Sequence, residues 1–372
     1  MGSGAILSRK KLCILLPNHW TGNFGGSEYQ VRCLLDVLVE HGGFEITYLT
    51  RHVDPGYAPT RYRVEQIGDG NGLGRYGYFI DAPRLLATLK RIRPDVIYQR
   101  EGNAYTGIAA YYSRNNNCRM VWHISSDTDL DPSLPRPYFG NRISRYMDNK
   151  FLRYGITRGD RVITQTRHQT DLLDRYYSKK ATAVVPNFHP WPREEIKKGS
   201  EIRIVWVANL KPLKQPETFI RLAEELSGEG NVRFIVIGRA GESQWHRDMV
   251  SRMAAVKKLE YLGERSQEEV NQVFASAHIF VNTSMYEGFP NTFIQAWMRK
   301  VPVVSLQVDP DGVLSDQGIG FCSGTYDRLR DDVALLIRDD DLRQRMGEKA
   351  QAYALERHSM RNAERIIEIL EQ

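Results

Sequence analysis

The sequence predicts an α/β protein built as two doubly wound domains, and three observations predict it. Short runs rich in Val, Ile and Leu alternate with amphipathic segments, as expected for parallel strands joined by helical crossovers. The rhythm breaks once, at a proline-rich charged stretch, and then restarts. A length of 372 residues is too great for one average domain and suits two.

In the first half the strand candidates are Leu12–Leu16, Glu45–Leu49, Val96–Tyr98, Arg119–Ile124, Arg161–Thr164 and Ala183–Val185. "YRVEQI" reads as a further strand. Helices are expected between them at Glu28–Glu40, Pro83–Ile92 and Gln169–Tyr176. The second half offers strands at Ile202–Val207, Arg233–Ile237, Leu259–Leu262, Ile279–Asn282 and Val301–Leu306. Its helices are expected at Pro216–Leu226, Gln267–Ser276, Asn291–Arg299 and Leu329–Asp339. The join lies in "PNFHPWPREEIKKGSE", residues 186–201, which has three prolines and a run of charge. This sets domains at residues 1–188 and 189–355, with an amphipathic helix in 356–372 packing back toward the first.

Apolar residues make up 41% and charged residues 26%, as in an ordinary globular protein. No apolar run approaches about 18 residues, so no transmembrane helix is expected. "KLCILLP" reads as a buried strand and not as the core of a secretory signal. Cys13, Cys33, Cys118 and Cys322 have no CxxC spacing; they read as reduced thiols in a cytoplasmic protein, and not as a zinc site. Charge is asymmetric. Residues 1–195 hold 27 basic and 19 acidic residues, and the remainder 24 and 26. A basic first half suggests an anionic ligand or membrane surface on that side; no basic-aromatic motif for nucleic acid is present.

Ligands of open α/β sheets bind beyond the carboxyl ends of the strands, so the loops there matter most. In "PNHWTGNFGGSEYQ", Gly25 and Gly26 allow close approach of a ligand, and Ser27 is placed to cap a helix whose amides face an anion. A flexible turn is the plain alternative. His123 ends a strand, where it would bond a sugar hydroxyl or phosphate, or serve as a structural histidine. Asp127 and Asp129 form an acid pair of the kind that holds a divalent metal, though on a three-residue match. Gly72, Gly74 and Gly77 have GxGxxG spacing but follow a strand too distantly and open no helix, so they read as a turn. Lys211 and Lys214 lie beyond a buried strand, suited to a diphosphate or simply on the surface. Gly238 allows close packing of a nucleoside.

In "SMYEGFPNTFIQAWMRKVPVV", Pro290 suits the first helical position, leaving the amides of Asn291 and Thr292 as an anion site. Glu287, just before it, would bond hydroxyls of a sugar attached to the phosphate, with Gly288 and Phe289 shaping the loop. Gln295, one turn on, would face the same site and bond a ribose hydroxyl. Further upstream, "NRISRYMDNKFLRYG", residues 141–155, mixes cations and aromatics. It reads either as an interfacial helix touching anionic lipid or as a basic helix whose aromatics pack on the core.

These motifs resemble the retaining family 4 glycosyltransferases of GT-B fold, bacterial surface-polysaccharide type. The likeness is strongest from Val205 to Leu306 and present at "GGSE" and His123. The family's Glu-Gly-Phe loop is followed by a second acid after seven residues; here Glu287 matches the first, and Gln295 stands in the second place. Its Arg-Leu-x-x-x-Lys segment corresponds to "NLKPLK", with Asn209 in the arginine position and Lys214 retained. The two departures should weaken nucleotide binding by about 1–3 kcal/mol each.

The resemblance implies two Rossmann-like domains facing across a cleft that closes by hinge motion, the first binding acceptor and the second donor. It implies transfer of a hexose or N-acetylhexosamine from a UDP- or GDP-linked donor to a saccharide or lipid-linked acceptor. Configuration is retained, and no cofactor or metal is required. Glu287, His123 and Lys214 would be catalytic; Gly25, Gly26, Asn209, Lys211, Gly238, Gly288, Phe289, Asn291, Thr292 and Gln295 would bind donor. The expected partners are the nucleotide sugar, the acceptor and the inner face of the cell membrane, with no nucleic acid. A catalytically silent sugar-nucleotide subunit is the alternative from another class, and a phosphorylase or epimerase of the same fold a third.

Overall fold

The computed structural model describes residues 9–22, 25–67, 77–134 and 141–372. Gly72 and Gly74 of the GxGxxG spacing fall outside the described residues. The chain divides into two compact units, Met1–Asn187 with Met360–Gln372, and Phe188–Ser359. The second unit thus runs four residues beyond the expected end at 355.

The first unit runs β1 (Lys10–Leu15), α1 (Gly26–His41), β2 (Phe44–Thr50), β3 (Arg63–Gln66), α2 (Ala82–Ile92) and β4 (Val96–Arg100). It continues α3 (Ala104–Asn115), β5 (Arg119–His123), α4 (Arg142–Arg158), β6 (Arg161–Thr164), α5 (Arg167–Tyr177) and β7 (Ala183–Val184). The second runs β8 (Ile202–Val207), α6 (Pro216–Leu226), β9 (Val232–Ile237), α7 (Gln244–Ala255), β10 (Leu259–Tyr261), α8 (Gln267–Ser276) and β11 (Ile279–Asn282). Then follow α9 (Asn291–Trp297), β12 (Val303–Ser305), α10 (Val313–Gln317), β13 (Gly320–Cys322), α11 (Tyr326–Arg338) and α12 (Asp340–Arg357). The last helix, α13 (Arg361–Glu371), belongs to the first unit.

Both sheets are parallel. Their orders are β3-β2-β1-β4-β5-β6-β7 and β10-β9-β8-β11-β12-β13, the doubly wound order in each case. The strand order reverses beside β1 in one sheet and beside β8 in the other, so the loops leaving these strands sit at the topological switch points. In the second unit alternate residues of β8 feed opposite faces: Ile204 and Trp206 join one core, Val205 the other. Such two-sided burial is why these strands read as continuous apolar runs.

Helix α13 is tied to the first unit by polar as well as apolar contacts. Arg161 Nη1 donates to the Ile369 carbonyl at 3.0 Å, and Asn362 Nδ2 to the Pro186 carbonyl at 3.2 Å, while Ile366 and Leu370 are buried. Helix α3 had no counterpart in the sequence reading. Ala104 to Ala110 are all buried, so the segment has no polar stripe to reveal its 3.6-residue period. Among the described residues no helix is long and apolar enough to cross a membrane.

Candidate active site

In the second unit the loops after β8 and β11 are fastened together. Thr283 Oγ1 accepts from Trp206 Nε1 at 2.9 Å and shares its proton between the carbonyls of Lys214, 2.6 Å, and Gln215, 3.0 Å. The Met285 amide donates to the Leu213 carbonyl at 3.0 Å. This lattice fixes two side chains side by side: Lys214 and Glu287 form an ion pair. Ser284 Oγ donates to the same carboxylate oxygen at 2.9 Å. Both charged side chains keep about a fifth of their surface open, 20% and 21%. A cation and a carboxylate are thus held at the carboxyl edge of the sheet and still reach solvent.

Neighbouring candidates have structural work. Asn209 Oδ1 accepts from the Arg239 amide at 3.1 Å, and Leu210 and Arg239 pair through their backbones, joining the loops after β8 and β9. Gly238 was expected to make room for a nucleoside. Its Cβ space is filled instead by the Ala208 carbonyl, which would lie 1.7 Å from an added methyl group. Lys211 is exposed on the same loop.

The start of α9 departs from expectation. Pro290 is the N-cap (φ −64°, ψ 123°) and not the first helical residue, and the helix has only seven residues. Asn291 and Thr292 still open it, but the Asn291 side chain bonds His189, whose pKa is lowered to about 3, chiefly by burial. Gly288 is buried, and Phe289 packs into the core, its ring centroid 4.6 Å from His358 and 6.0 Å from Trp297. Gln295 does not face the loop cluster with its amide nitrogen. That nitrogen donates to Gln267 Oε1 and Asn271 Oδ1 of α8, both at 2.8 Å, and the side chain is buried.

In the first unit the loop after β1 leads into α1 with Gly25 as N-cap and Gly26 as the first helical residue; Ser27 is not the cap. Ser27 bonds Glu101 through its side chain. Glu28, which sequence reasoning passed over, is buried and folds back over Gly25, where an added Cβ would meet its Oε2 at 2.5 Å. Burial raises the Glu28 carboxyl to about 7, against the opposing pull of hydrogen bonds from its own backbone and Asn18 and of the Arg100 charge. Glu101 has left-handed backbone (φ 72°), and its carboxyl is raised well above the usual range by burial and then by Glu28 and Asp129.

His123 was expected to reach a ligand; its ring is completely buried. Nδ1 lies 2.8 Å from Tyr98 Oη and 3.0 Å from Arg100 Nη1. A guanidinium cannot accept, so Nδ1 must, and the ring proton sits on Nε2. Burial and the Arg100 charge hold the pKa well below its usual value, so the ring stays neutral. Arg100 Nη2 donates onward to Asn187 Oδ1 at 2.6 Å. Asp129 Oδ2 accepts from the Ser125 and Ser126 amides at 3.1 Å each, bracing the turn, and Asp127 Oδ1 accepts from Gln169 Nε2 at 3.0 Å, tying the turn to α5. Arg100, Glu28 and Glu101 were invisible in the sequence because nothing marks an ordinary charged residue as one that will be buried.

A family model described as glycosyl transferases group 1 matches residues 187–353, and one described as glycosyltransferase family 4 matches residues 24–189. The chain belongs to the family 4 glycosyltransferases. This family 4 chain is 28% identical over 161 residues to a D-inositol 3-phosphate glycosyltransferase of Corynebacterium efficiens, covering 41% of this chain and 38% of that one. It is 25% identical over 184 residues to the phosphatidylinositol N-acetylglucosaminyltransferase GPI3 subunit of Saccharomyces cerevisiae, covering 46% and 41%. The chain therefore spans about two fifths of the length of the curated relatives it matches.

Among solved structures, a sucrose-phosphate synthase of Thermosynechococcus elongatus matches 98% of this chain and 99% of its own, with TM-score 0.80 and 14% identity. WaaG, a glycosyltransferase involved in lipopolysaccharide biosynthesis, matches 96% and 99%, with TM-score 0.76 and 14% identity. Anabaena Alr3699/HepE, solved with UDP and glucose, matches 98% and 100%, with TM-score 0.73 and 16% identity. At such identities the likeness is one of fold, the two-domain GT-B architecture.

Proposed function

We propose that this family 4 chain is a retaining hexosyltransferase. It would move a hexose or N-acetylhexosamine from a UDP- or GDP-linked donor to a saccharide or lipid-linked acceptor, in polysaccharide or glycoconjugate synthesis. The observation that carries this reading is the Lys214–Glu287 pair, held by fastened loops at the carboxyl edge of the second sheet and still open to solvent. The solved complex of Anabaena Alr3699/HepE with UDP and glucose supports a nucleotide-sugar donor.

On this reading the pair is the ligand-free arrangement. When donor binds, the Lys214 ammonium turns to the diphosphate, and the Glu287 carboxylate, kept in place by Ser284, takes hydroxyls of the sugar. As the glycosidic bond breaks, negative charge grows on the leaving diphosphate. Lys214 and backbone amides near Thr292 stabilise it, which makes a divalent ion unnecessary. The leaving phosphate oxygen takes the acceptor proton on the same face, so configuration is kept without a second carboxylate. Four free thiols, Cys13, Cys33, Cys118 and Cys322, suit a reducing cytoplasmic compartment.

One observation favours a second reading, a silent sugar-nucleotide binding subunit. Asn209 and Gln295, which stand where the family resemblance implies charged donor contacts, are both engaged in bonds within the unit. A panel of UDP and GDP sugars, assayed for hydrolysis and transfer with and without EDTA, separates the two. Turnover that survives EDTA, with the anomeric configuration kept by NMR, is the expected result; binding without turnover on every donor selects the silent subunit.

A further inference from the structure

Helix α4 carries a surface that the transfer reaction does not explain. Its inner side is complete. Gly155 packs against α3 so closely that an added Cβ would lie 2.5 Å from the Thr106 carbonyl carbon, and one on Gly107 would lie 2.2 Å from the Phe151 carbonyl. Leu152 and Ile156 are buried in the core, and Phe151 packs against it. The helix's one acid, Asp148, also points inward and accepts from the amides of Tyr78 and Phe79, at 2.8 Å for Phe79.

Arg142, Arg145, Lys150, Arg153 and Arg158 are all exposed. Among them stand Ile143, Tyr146 and Tyr154, with 73%, 65% and 38% of their surface in solvent. Of the two sequence readings of this segment, core packing holds for Phe151, while these apolar side chains have no core to join. Beside the helix runs an open groove of about 660 Å³. Leu130, Leu134 and Leu152 line it, with Arg145, Lys150 and Arg153 on the α4 side and two acids, Asp129 and Asp131, on the other.

We propose that this face of α4 docks the protein on an anionic bilayer surface, with the cations at the headgroups and Ile143, Tyr146 and Tyr154 at the acyl boundary. Charge complementarity selects the occupant: five cations and no outward acid on the helix meet a negative leaflet. The interleaved apolar side chains select a bilayer over a soluble polyanion, which has no use for an isoleucine in solvent. An apolar groove edged by cations has the same amphiphilic character. The inference stands apart from the transfer reaction and is tested without it.

The full chain is sedimented with phosphatidylcholine vesicles, with and without phosphatidylglycerol. Binding is expected only with the anionic lipid and is expected to fall as salt rises. The triple variant Arg145→Glu, Lys150→Glu, Arg153→Glu should lower partitioning on the order of a hundredfold or more, since each cation near the surface is worth about fivefold. Ile143→Ser leaves every charge in place and should lower it roughly tenfold. Far-ultraviolet circular dichroism confirms that both variants fold. Equal binding to neutral vesicles, or binding indifferent to the triple variant, overturns the proposal. So does an Ile143→Ser protein that binds vesicles normally while the triple variant loses affinity for heparin, because the face is then a polyanion site.

Discussion

The two sheets present their carboxyl edges in opposite ways. In the second unit Lys214 and Glu287 are paired yet partly open, on loops tied by Thr283 and Met285. In the first, His123 and Arg100 are sealed inside, bonded to Tyr98 and Asn187, with Glu28 buried near the same cation. Lys214 and Glu287 lie on loops after β8 and β11, and Arg100 and His123 end β4 and β5. Position at a strand end is thus common to both groups, and burial is what separates them: one pair is open to solvent, and the other supports the structure around it.

That contrast can be broken by substitution. Arg100→Leu removes the cation that serves His123, Asn187 and the nearby carboxyls. It should cost about 3–5 kcal/mol of stability in urea unfolding, as for a broken buried charge network. A loss under 1 kcal/mol would place Arg100 among the working residues and not the supports.

Glu28 sharpens the comparison through pH. Its carboxyl ionises near 4.5 in the unfolded chain and near 7 in the folded one. Between those values the native state holds more protons than the unfolded state, so this group's contribution to stability falls as pH rises and levels off above about 7. His123, depressed by burial, acts in the opposite sense below its usual value, so the difference between wild type and Glu28→Gln is the quantity to measure. Glu28→Gln should remove a slope worth on the order of 3 kcal/mol between pH 4.5 and 7. A flat difference curve would mean the carboxylate ionises normally in the fold.

The open pair should behave the other way round. Glu287→Ala is expected to lower turnover at least tenfold, about 1.4 kcal/mol in barrier, with stability changed by no more than about 1 kcal/mol. Turnover unchanged on a confirmed donor would remove Glu287 from the site. Lys211→Ala, on an exposed side chain of the same loop, should raise KM less than about threefold, within the small range of a surface charge.

Much of this was legible in the sequence. Parallel strands buried on both faces announce themselves as apolar runs, and the break at residues 186–201 separates two such series. Lys214 and Glu287 stood out as candidates because each lies on a loop just beyond such a run. Other features were not legible. The first part of α3, Ala104 to Ala110, is buried throughout and has no periodic face. Helical phase put Gln295 one turn into α9 but could not say that Gln267 and Asn271 of α8 would be waiting for it. Gly238 announced a close approach and left open that the visitor was the carbonyl of Ala208. Ser27 has the chemistry of a cap, but the first turn begins at Gly26, two residues earlier than a serine cap allows.

The most direct test is a crystal structure with an unhydrolysed UDP or GDP sugar. The expected result is that Lys214 Nζ has left Glu287 for a diphosphate oxygen, while the Glu287 carboxylate, still bonded to Ser284, holds a sugar hydroxyl. A bound nucleotide sugar with the Lys214–Glu287 pair intact and touching no part of it would contradict the account.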